Sequence, residues 1–201
     1  MRSLTTGLLI VVLGSWVLWN ATDGARTFTS EGARRLSVRS HPRPVPPVLL
    51  QDQTGSQLNM QDLRGRLVVV DFIYTRCHTL CAVMSGTLAT LRDDLPTAQL
   101  GKDVVLLSIS FDPEHDTVKT LKEYGARYDA LPGNWHISRV VHSTALPKLL
   151  HTFGITVIPN GMGGFKHNAA IHVIDKQGRL ARIVGYDDPK AAIAAVEDLL
   201  K

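Results

Sequence analysis

Cysteine is scarce in this chain of 201 residues, which contains only Cys77 and Cys81. Small secreted proteins held by a disulfide framework carry more cysteines in a shorter chain, so that class is excluded. A structural zinc site needs four ligands at short spacing, and no further cysteine or histidine completes such a pattern. The two cysteines therefore point to another kind of chemistry.

Internal repeats and heptad patterns are also absent from the sequence. The composition is that of a globular protein and not of a disordered one, since 44% of the residues are hydrophobic and 20% are charged. The formal net charge is +4. Basic residues cluster between Arg26 and Arg43, but no basic helix or aromatic-interleaved basic stripe follows, and nucleic-acid binding needs one of these. We therefore expect one globular domain of about 150 residues and no nucleic-acid partner.

Charge is absent from residues 4–19, which follow Arg2. The length of this apolar stretch lies between a signal-peptide core and a full transmembrane helix. Trp16 and Trp19 near its end are typical of a membrane interface and favour a retained anchor. We expect residues 1–20 to be a signal anchor or a cleaved signal peptide. The domain would then face the periplasm from the inner membrane or be released there.

Residues 21–47 are rich in Arg, Ser, Gly and Pro and end in the run His41–Pro47. Prolines at this density favour the extended polyproline II conformation, so we expect a semi-rigid linker. Its basic residues could lie against anionic lipid. The globular domain would then occupy residues 48–201.

Hydrophobic patterning within residues 48–201 predicts alternating strands and helices. Predicted strands begin near Val48, Leu67, Val104, Asn134, Ala169 and Leu180, and predicted helices follow Cys81, Thr117, Ala145 and Asp188. The apolar runs 67–73 and 104–111 are typical of strands buried on both faces. This order predicts an α/β fold of the thioredoxin-like type, a central mixed sheet flanked by helices.

Cys77 and Cys81 stand where the predicted strand 67–73 passes into a helix. Open α/β sheets bind ligands at the carboxyl ends of their strands, and a helix N-terminus lowers the pKa of a nearby thiol. Arg76 and His78 add positive charge, so we expect both sulfurs to be reactive thiolates. Three intervening residues place the cysteines about one helical turn apart, with Cα atoms on the order of 6 Å apart.

That separation allows either a disulfide or the convergence of two sulfurs on one ion. Two thiolates and one imidazole form a soft site of low coordination number, which suits Cu(I) better than zinc or hard cations. Common thiol–disulfide redox motifs have two intervening residues, so this spacing favours metal binding. Two buried cysteines in a helix would produce the same pattern without any function.

Three separated motifs resemble the SCO/SenC family. They are Tyr74-Thr-Arg-Cys-x-x-x-Cys81, Ser108-Ile-Ser-Phe-Asp-Pro-Glu-His-Asp-Thr117 with Leu121-Lys-Glu-Tyr124, and His167 placed eleven residues before Gly178. The resemblance runs from about Pro46 to Leu200. It implies a membrane-anchored, copper-binding thioredoxin-like protein that helps to build the copper centre of cytochrome c oxidase.

By position, the resemblance implies Cys77, Cys81 and His167 as copper ligands and the two cysteines as a redox-active pair that can form a disulfide. The expected cargo is Cu(I), and whether Cu(II) also binds is open. The expected partner is a copper-accepting oxidase subunit or another periplasmic copper or thiol protein. The chain departs from the family in having Ala82 in place of a proline and Lys166 in place of a common acidic residue. We expect Lys166 to make the site more positive.

Glycines within residues 161–164 precede His167 and predict a flexible segment that can carry its imidazole onto the sulfurs. His78 would point away from both sulfurs on a helical turn. Met84 has the spacing of a core residue, whereas Met162 is an open candidate for a fourth soft ligand. His41 lies in the expected linker and His172 in a predicted strand, and we expect the other histidines to lie at the surface or in hydrogen bonds: His115, His136, His142 and His151.

Asp116 or Thr117 is placed to cap the next helix. Asp112 and Asp116 are expected either to serve such a capping role or to assist docking. The main alternative function is a thiol–disulfide oxidoreductase acting on an oxidase subunit or a copper protein, which would use the same two cysteines without His167. A thiol peroxidase has faint support from Thr75 and Arg76. A purely structural module is a further alternative, and whether the chain is an enzyme stays undecided at this stage.

Overall fold

The carboxyl ends of two buried parallel strands position the part of the chain that carries the cysteines. The computed structural model describes residues 2–21, 29–77 and 79–201. The chain divides into two compact units, residues 1–41 and residues 42–201, and each unit is described by itself.

The first unit contains helix α1 (Arg2–Ala21) and helix α2 (Ser30–Ser40). Among the described residues, none of the helices combines the length and the hydrophobicity that a membrane span requires. Helix α2 differs from the expected extended linker. Its N-cap residue Thr29 accepts a hydrogen bond from the Gly32 amide (3.0 Å), and Glu31 in its first turn pairs with two arginines of the next turn. These local contacts stabilise a helix where the proline content alone predicted none.

Residues 22–28 of the predicted linker lie outside the described residues. Its last part belongs to the second unit, because strand β1 (Arg43–Pro44) pairs with a strand of the central sheet. The expected polyproline II spacer is therefore wrong for residues 30–40 and for this strand. Proline can occupy an edge strand, where its missing N–H costs no ladder hydrogen bond.

The second unit is built on a mixed sheet. In chain order its strands are β1, β2 (Leu49–Asp52), β3 (Gln57–Asn59), β4 (Leu67–Ile73), β5 (Val104–Ser110), β6 (Trp135–Val140), β9 (Ile171–Ile174) and β10 (Arg179–Val184), while β7 (Val157–Pro159) and β8 (Phe165–His167) form a separate hairpin. The spatial order is β1-β10-β9-β4-β5-β6-β2-β3. Strands β4, β5 and β6 are parallel, and the other pairs are antiparallel.

Helices cover both faces of this sheet. They are α3 (Leu80–Asp94), α4 (Val118–Ala126), α5 (Leu146–Phe153) and α6 (Pro189–Leu200). Helix α3 packs on β4, β5 and α6, and it meets α4 through the hydroxyls of Ser85 and Tyr124 (2.8 Å). Helix α5 covers the other face, where Phe153 contacts Phe72 of β4 with ring centroids 5.0 Å apart.

The predicted thioredoxin-like arrangement of a mixed sheet between helices is confirmed. Every residue of β4 and β5 is buried, as the continuous apolar runs predicted. The C-terminal hairpin is present as β9 and β10. Strand β3 and the hairpin β7–β8 were not predicted, because three-residue strands carry too little alternation to be recognised.

Candidate metal centre

The two cysteines lie at the junction between β4 and α3. After β4 the chain turns, with the Cys77 amide donating to the Tyr74 carbonyl (3.1 Å). Cys81 stands in the first turn of α3, and its amide donates to the Cys77 sulfur (3.3 Å). Neither cysteine is in a disulfide, and both are buried. The expected position at a strand–helix junction is therefore correct, although Cys77 lies in the turn before the helix. His78 lies outside the described residues.

His167 is the third member of the cluster and is the last residue of β8. Its Nε2 lies 3.9 Å from Cys81 Sγ. Its Nδ1 lies 3.0 Å from the carbonyl oxygen of Asn168. A proton on Nδ1 would satisfy that carbonyl and would leave the Nε2 lone pair facing the sulfurs. The ligand atoms of Cys77, Cys81 and His167 all lie within 4.8 Å of one another.

Aromatic contacts hold the β7–β8 hairpin over the cysteines. Phe165 packs its ring edge against Tyr74 (5.2 Å between centroids) and Phe111 (5.5 Å), and the His167 ring packs on Phe111 (4.9 Å). The expected flexible glycine segment is only the turn of this hairpin, since residues 165–167 pair with residues 157–159. The imidazole is thus already placed beside the sulfurs.

Lys166 stands between these inward residues on β8. Because side chains alternate along a strand, it points to the opposite face of the hairpin, and it is exposed. Its cross-strand neighbour is Ile158, which is also exposed. The lysine therefore does not face the sulfurs, and the expectation that its charge makes the cysteine site more positive stays a prediction.

The two sulfurs have opposite proton affinities. A hydrogen bond from the Cys81 side chain, together with contacts from His167 and the Cys81 and Thr79 amides, lowers the pKa of Cys77 to about 3. The hydrogen bond to Cys77 and burial raise the pKa of Cys81. These opposite shifts favour a thiolate at Cys77 and a thiol at Cys81, whereas the sequence suggested two thiolates.

Two aspartates of the β5–α4 connection contact the turn before Cys77. Asp112 pairs with Arg76 (2.7 Å) and with His115 (2.8 Å), so the charge of Arg76 is compensated. Asp116 accepts hydrogen bonds from Thr75. Of the two expected cap residues, Asp116 and Thr117, it is Thr117 that caps α4, because its hydroxyl accepts from the Thr120 amide (3.3 Å). The aspartates thus hold the cysteine turn and do not cap α4.

Asp71 was missed as a functional candidate. It lies in β4 six residues before Cys77 and is fully buried, and neither carboxylate oxygen has a hydrogen-bond partner among the described residues. Burial raises the pKa of Asp71 to about 7, and its charge contributes to the raised pKa of Cys81. A single acidic residue inside the apolar run 67–73 was the signal that could have revealed it.

The remaining soft or imidazole candidates lie apart from the cluster. Met84 is a core residue, as predicted, and Met162 is 86% exposed at the turn of the β7–β8 hairpin. His172 is buried against Phe72 and Phe153. The others are His41, His115, His136, His142 and His151. Among the described residues, the Cys77, Cys81 and His167 group is the one cluster of three or more potential metal ligands.

The donor set consists of two sulfurs and one imidazole nitrogen in a largely buried position. Soft sulfur donors and low coordination number fit Cu(I), whereas Mg²⁺ and Ca²⁺ need oxygen ligands. The same thiolate and thiol pair is also suited to thiol–disulfide exchange, because the ionised Cys77 is a nucleophile and Cys81 is adjacent to it. The geometry thus supports soft-metal binding and dithiol chemistry at one site.

Comparisons with known proteins agree with this geometry. The SCO1/SenC family model matches residues 39–201. The SCO1 protein homolog of Bacillus subtilis (strain 168) is 28% identical over 140 residues, covering 69% of this chain and 72% of that protein.

Solved structures show the same fold. BsSco, described as a member of the Sco family of cytochrome c oxidase assembly proteins with a disulfide switch, matches with a TM-score of 0.67 and 24% identity over 79% of this chain and 94% of that one. Bradyrhizobium japonicum ScoI with copper bound matches with a TM-score of 0.60 and 24% identity over 78% of this chain and 99% of that one. Because the family model spans the whole of the second compact unit, this chain belongs to the SCO1/SenC family.

Proposed function

We propose that this protein binds Cu(I) through Cys77, Cys81 and His167 and delivers it during assembly of the copper centre of cytochrome c oxidase. The observation that carries the proposal is the cluster of three soft or borderline donors within 4.8 Å of one another. Membership of the SCO1/SenC family supports it. A relative has been solved with copper bound, and another is described as an oxidase assembly protein.

The state of each donor suggests how copper is received. The lowered pKa of Cys77 favours its thiolate form, which can bind the incoming ion directly. Cys81 must give up its proton, because thiolates are the metal ligands. The Nε2 atom of His167 faces the sulfurs and completes the site without a large rearrangement. Copper would leave by stepwise exchange of these ligands for cysteine sulfurs of the acceptor, which is an oxidase subunit or another periplasmic copper or thiol protein.

Two sulfur donors favour Cu(I) over Cu(II). We therefore propose Cu(I) as the transferred form. Binding of Cu(II) to the same three side chains is a second possibility that direct titration with each ion distinguishes.

A thiol–disulfide oxidoreductase is the second candidate, favoured by the lowered pKa of Cys77 beside the neutral Cys81. The Cys77 thiolate would attack a disulfide of the partner and form a mixed disulfide. Cys81 would then displace the second partner thiol. The partner disulfide is reduced to two thiols, and Cys77 and Cys81 are oxidised to a disulfide.

Substitution of His167 separates the two functions. We expect His167→Ala to weaken Cu(I) binding at least tenfold, since a ligand is lost, and to leave the stoichiometry of disulfide exchange with glutathione unchanged. His151→Ala, at an exposed histidine of α5, is the matched control. If His167→Ala binds Cu(I) as tightly as the wild type while exchange with partner disulfides is rapid, the reductase becomes the better description.

We also propose that the domain works on the periplasmic side of the inner membrane, either anchored or released. The support is the uncharged stretch of residues 4–19 after Arg2 and the tryptophans near its end. Protease treatment of spheroplasts tests this: we expect the domain to be digested while a cytoplasmic marker survives. Protection of the domain together with that marker would contradict the proposed location.

A further inference from the structure

Asp116 is a buried carboxylate that neither the proposed copper ligands nor the helix cap explains. It lies in the connection between β5 and α4 and is fully buried. The adjacent Thr117 caps α4, so Asp116 has no capping function. Because a buried charge is costly unless hydrogen bonds compensate it, its partners indicate what this residue does.

Within the part of the chain that the structure describes, the three hydrogen bonds that the Asp116 carboxylate accepts come from β5 and from the cysteine turn. Oδ1 accepts from the Thr75 hydroxyl (2.6 Å), and Oδ2 accepts from the Thr75 amide (3.0 Å) and the Ser110 hydroxyl (2.5 Å). Ser110 is the last residue of β5, and Thr75 stands two residues before Cys77. The carboxylate therefore ties the cysteine turn to the end of the neighbouring strand.

Asp112 contacts the next residue of the same turn. Its Oδ2 accepts from the Arg76 guanidinium (2.7 Å), and its own amide donates to the Ser110 hydroxyl (3.0 Å). We name Asp112 and Asp116 the carboxylate clamp. The clamp holds two consecutive residues, Thr75 and Arg76, with charge-assisted hydrogen bonds, which are stronger than neutral ones.

The position of Cys77 depends on this turn because neither β4 nor α3 includes it. Among the described residues, the backbone hydrogen bond within this turn is the one from the Cys77 amide to the Tyr74 carbonyl. A displacement of the turn would move the Cys77 sulfur away from the Cys81 amide, which now donates to it at 3.3 Å. Ligand sites lose affinity when supporting residues no longer hold the ligand in place.

We propose that Asp116 is a positioning residue that, by holding Thr75, fixes Cys77 in the turn before α3 and opposite His167. This inference rests on the proposed Cu(I) binding. Asp112 assists through Arg76. The clamp touches no ligand atom and acts only through the turn.

Thr75 offers a matched pair of substitutions. Thr75→Val removes the hydroxyl donor to Asp116 and keeps the shape, whereas Thr75→Ser keeps the donor. We expect Thr75→Val to lower Cu(I) affinity by about tenfold, measured by competition with a chromophoric Cu(I) chelator. Thr75→Ser should stay within about twofold of the wild type, since its charge-assisted hydrogen bond is retained.

Thr87→Val is the control for a purely structural effect. Thr87 is a buried threonine of α3 that donates one hydrogen bond to the Tyr186 carbonyl (2.8 Å). Thr87→Val replaces a hydroxyl by a methyl group, as Thr75→Val does, but at a position outside the carboxylate clamp. Urea unfolding of all three variants measures their stability. If Thr87→Val weakens Cu(I) binding as much as Thr75→Val, or if Thr75→Ser is as weak as Thr75→Val, the positioning role is wrong.

A metal-free measurement separates this inference from the proposed function. In glutathione redox buffers, we expect the Cys77/Cys81 equilibrium of Thr75→Val to shift about tenfold toward the disulfide, because the Cys77 thiolate is less stabilised. Thr75→Ser and Thr87→Val should match the wild type. If the wild type binds no Cu(I), the proposed function fails, and this shift still tests the clamp. Absence of the shift overturns the clamp.

Discussion

Cys77 and Cys81 differ in protonation although they are four residues apart and share one site. The amide of Cys81 and its thiol both donate toward Cys77, which stabilises a thiolate there. The buried Cys81 keeps its proton, and the nearby charge of Asp71 reinforces this. Only Cys81 therefore has a proton to release when a metal binds near neutral pH.

This asymmetry predicts the pH dependence of Cu(I) binding. Between pH 7 and 8 we expect affinity to rise by about tenfold per pH unit, because one proton leaves with each ion bound. Two ordinary thiols would release two protons and give a slope of two. Competition titrations at several pH values measure the slope. A slope of two would show that Cys77 is not ionised in the metal-free protein.

Asp71 predicts a second pH effect, this time on stability. Its folded pKa, about 7, lies above the ordinary value of an unfolded aspartate. The preference of the folded state for protonated Asp71 therefore stabilises the protein fully at pH values below the pKa of an unfolded aspartate. This contribution to the free energy of unfolding is lost as the pH rises through the folded pKa of about 7. Relative to the wild type, Asp71→Asn should gain on the order of 2–3 kcal/mol in unfolding free energy between pH 5 and 8. Urea unfolding of both proteins at both pH values measures this difference, and a constant difference would contradict the raised pKa.

At the scale of elements, the β7–β8 hairpin does the most to assemble the site. It brings His167 to the cysteines from 86 residues further along the chain. Three residues of β7 pair with three residues of β8. Phe165 anchors the hairpin by packing against Tyr74 and Phe111. The placement of the imidazole thus depends on aromatic packing on one face of a short strand.

Removal of that anchor should release the imidazole. We expect Phe165→Ala to lower Cu(I) affinity by about tenfold and to add no further loss when combined with His167→Ala, since both changes act through one ligand. Ile158→Ala alters the exposed opposite face of the hairpin and should have no effect. Additive losses in the Phe165→Ala and His167→Ala double variant would show that Phe165 acts independently of His167.

The larger elements could be predicted from the sequence because their patterns are local. The apolar runs of β4 and β5 and the spacing after Cys81 identify strands and a helix directly. Strands β7 and β8 have three residues each, which is too few for an alternation of hydrophobic and polar residues to be recognised. The contact between Thr75 and Asp116 joins positions 41 residues apart, so no local pattern reveals it. His167 was identified as a ligand from the family resemblance and from the glycines before it. That its imidazole is held in place beside the sulfurs could be seen only from the aromatic contacts in the structure.

At the scale of the whole molecule, metal binding and folding are linked. The cluster draws on β8, on the first turn of α3 and on the turn after β4, so the ligands converge only in the folded domain. A ligand that binds the folded state alone stabilises it by about 2.7 kcal/mol at one hundred times its Kd. For a chain of this size we therefore expect Cu(I) to raise Tm by about 5–10 °C.

Calorimetry with and without Cu(I), under reducing conditions, measures that shift. Cys77→Ser should show a smaller shift, because one thiolate ligand is gone, and the protein oxidised to the Cys77–Cys81 disulfide should show none, because both are gone. An equal rise in Tm for the oxidised protein would mean that copper binds elsewhere on the molecule.

The most direct test of the proposed site is X-ray absorption spectroscopy of the Cu(I)-loaded protein. We expect one copper per chain with two sulfur neighbours and one nitrogen neighbour, supplied by Cys77, Cys81 and His167. In His167→Ala the nitrogen neighbour should disappear while both sulfurs remain. A copper environment that His167→Ala leaves unchanged would contradict the three-residue site.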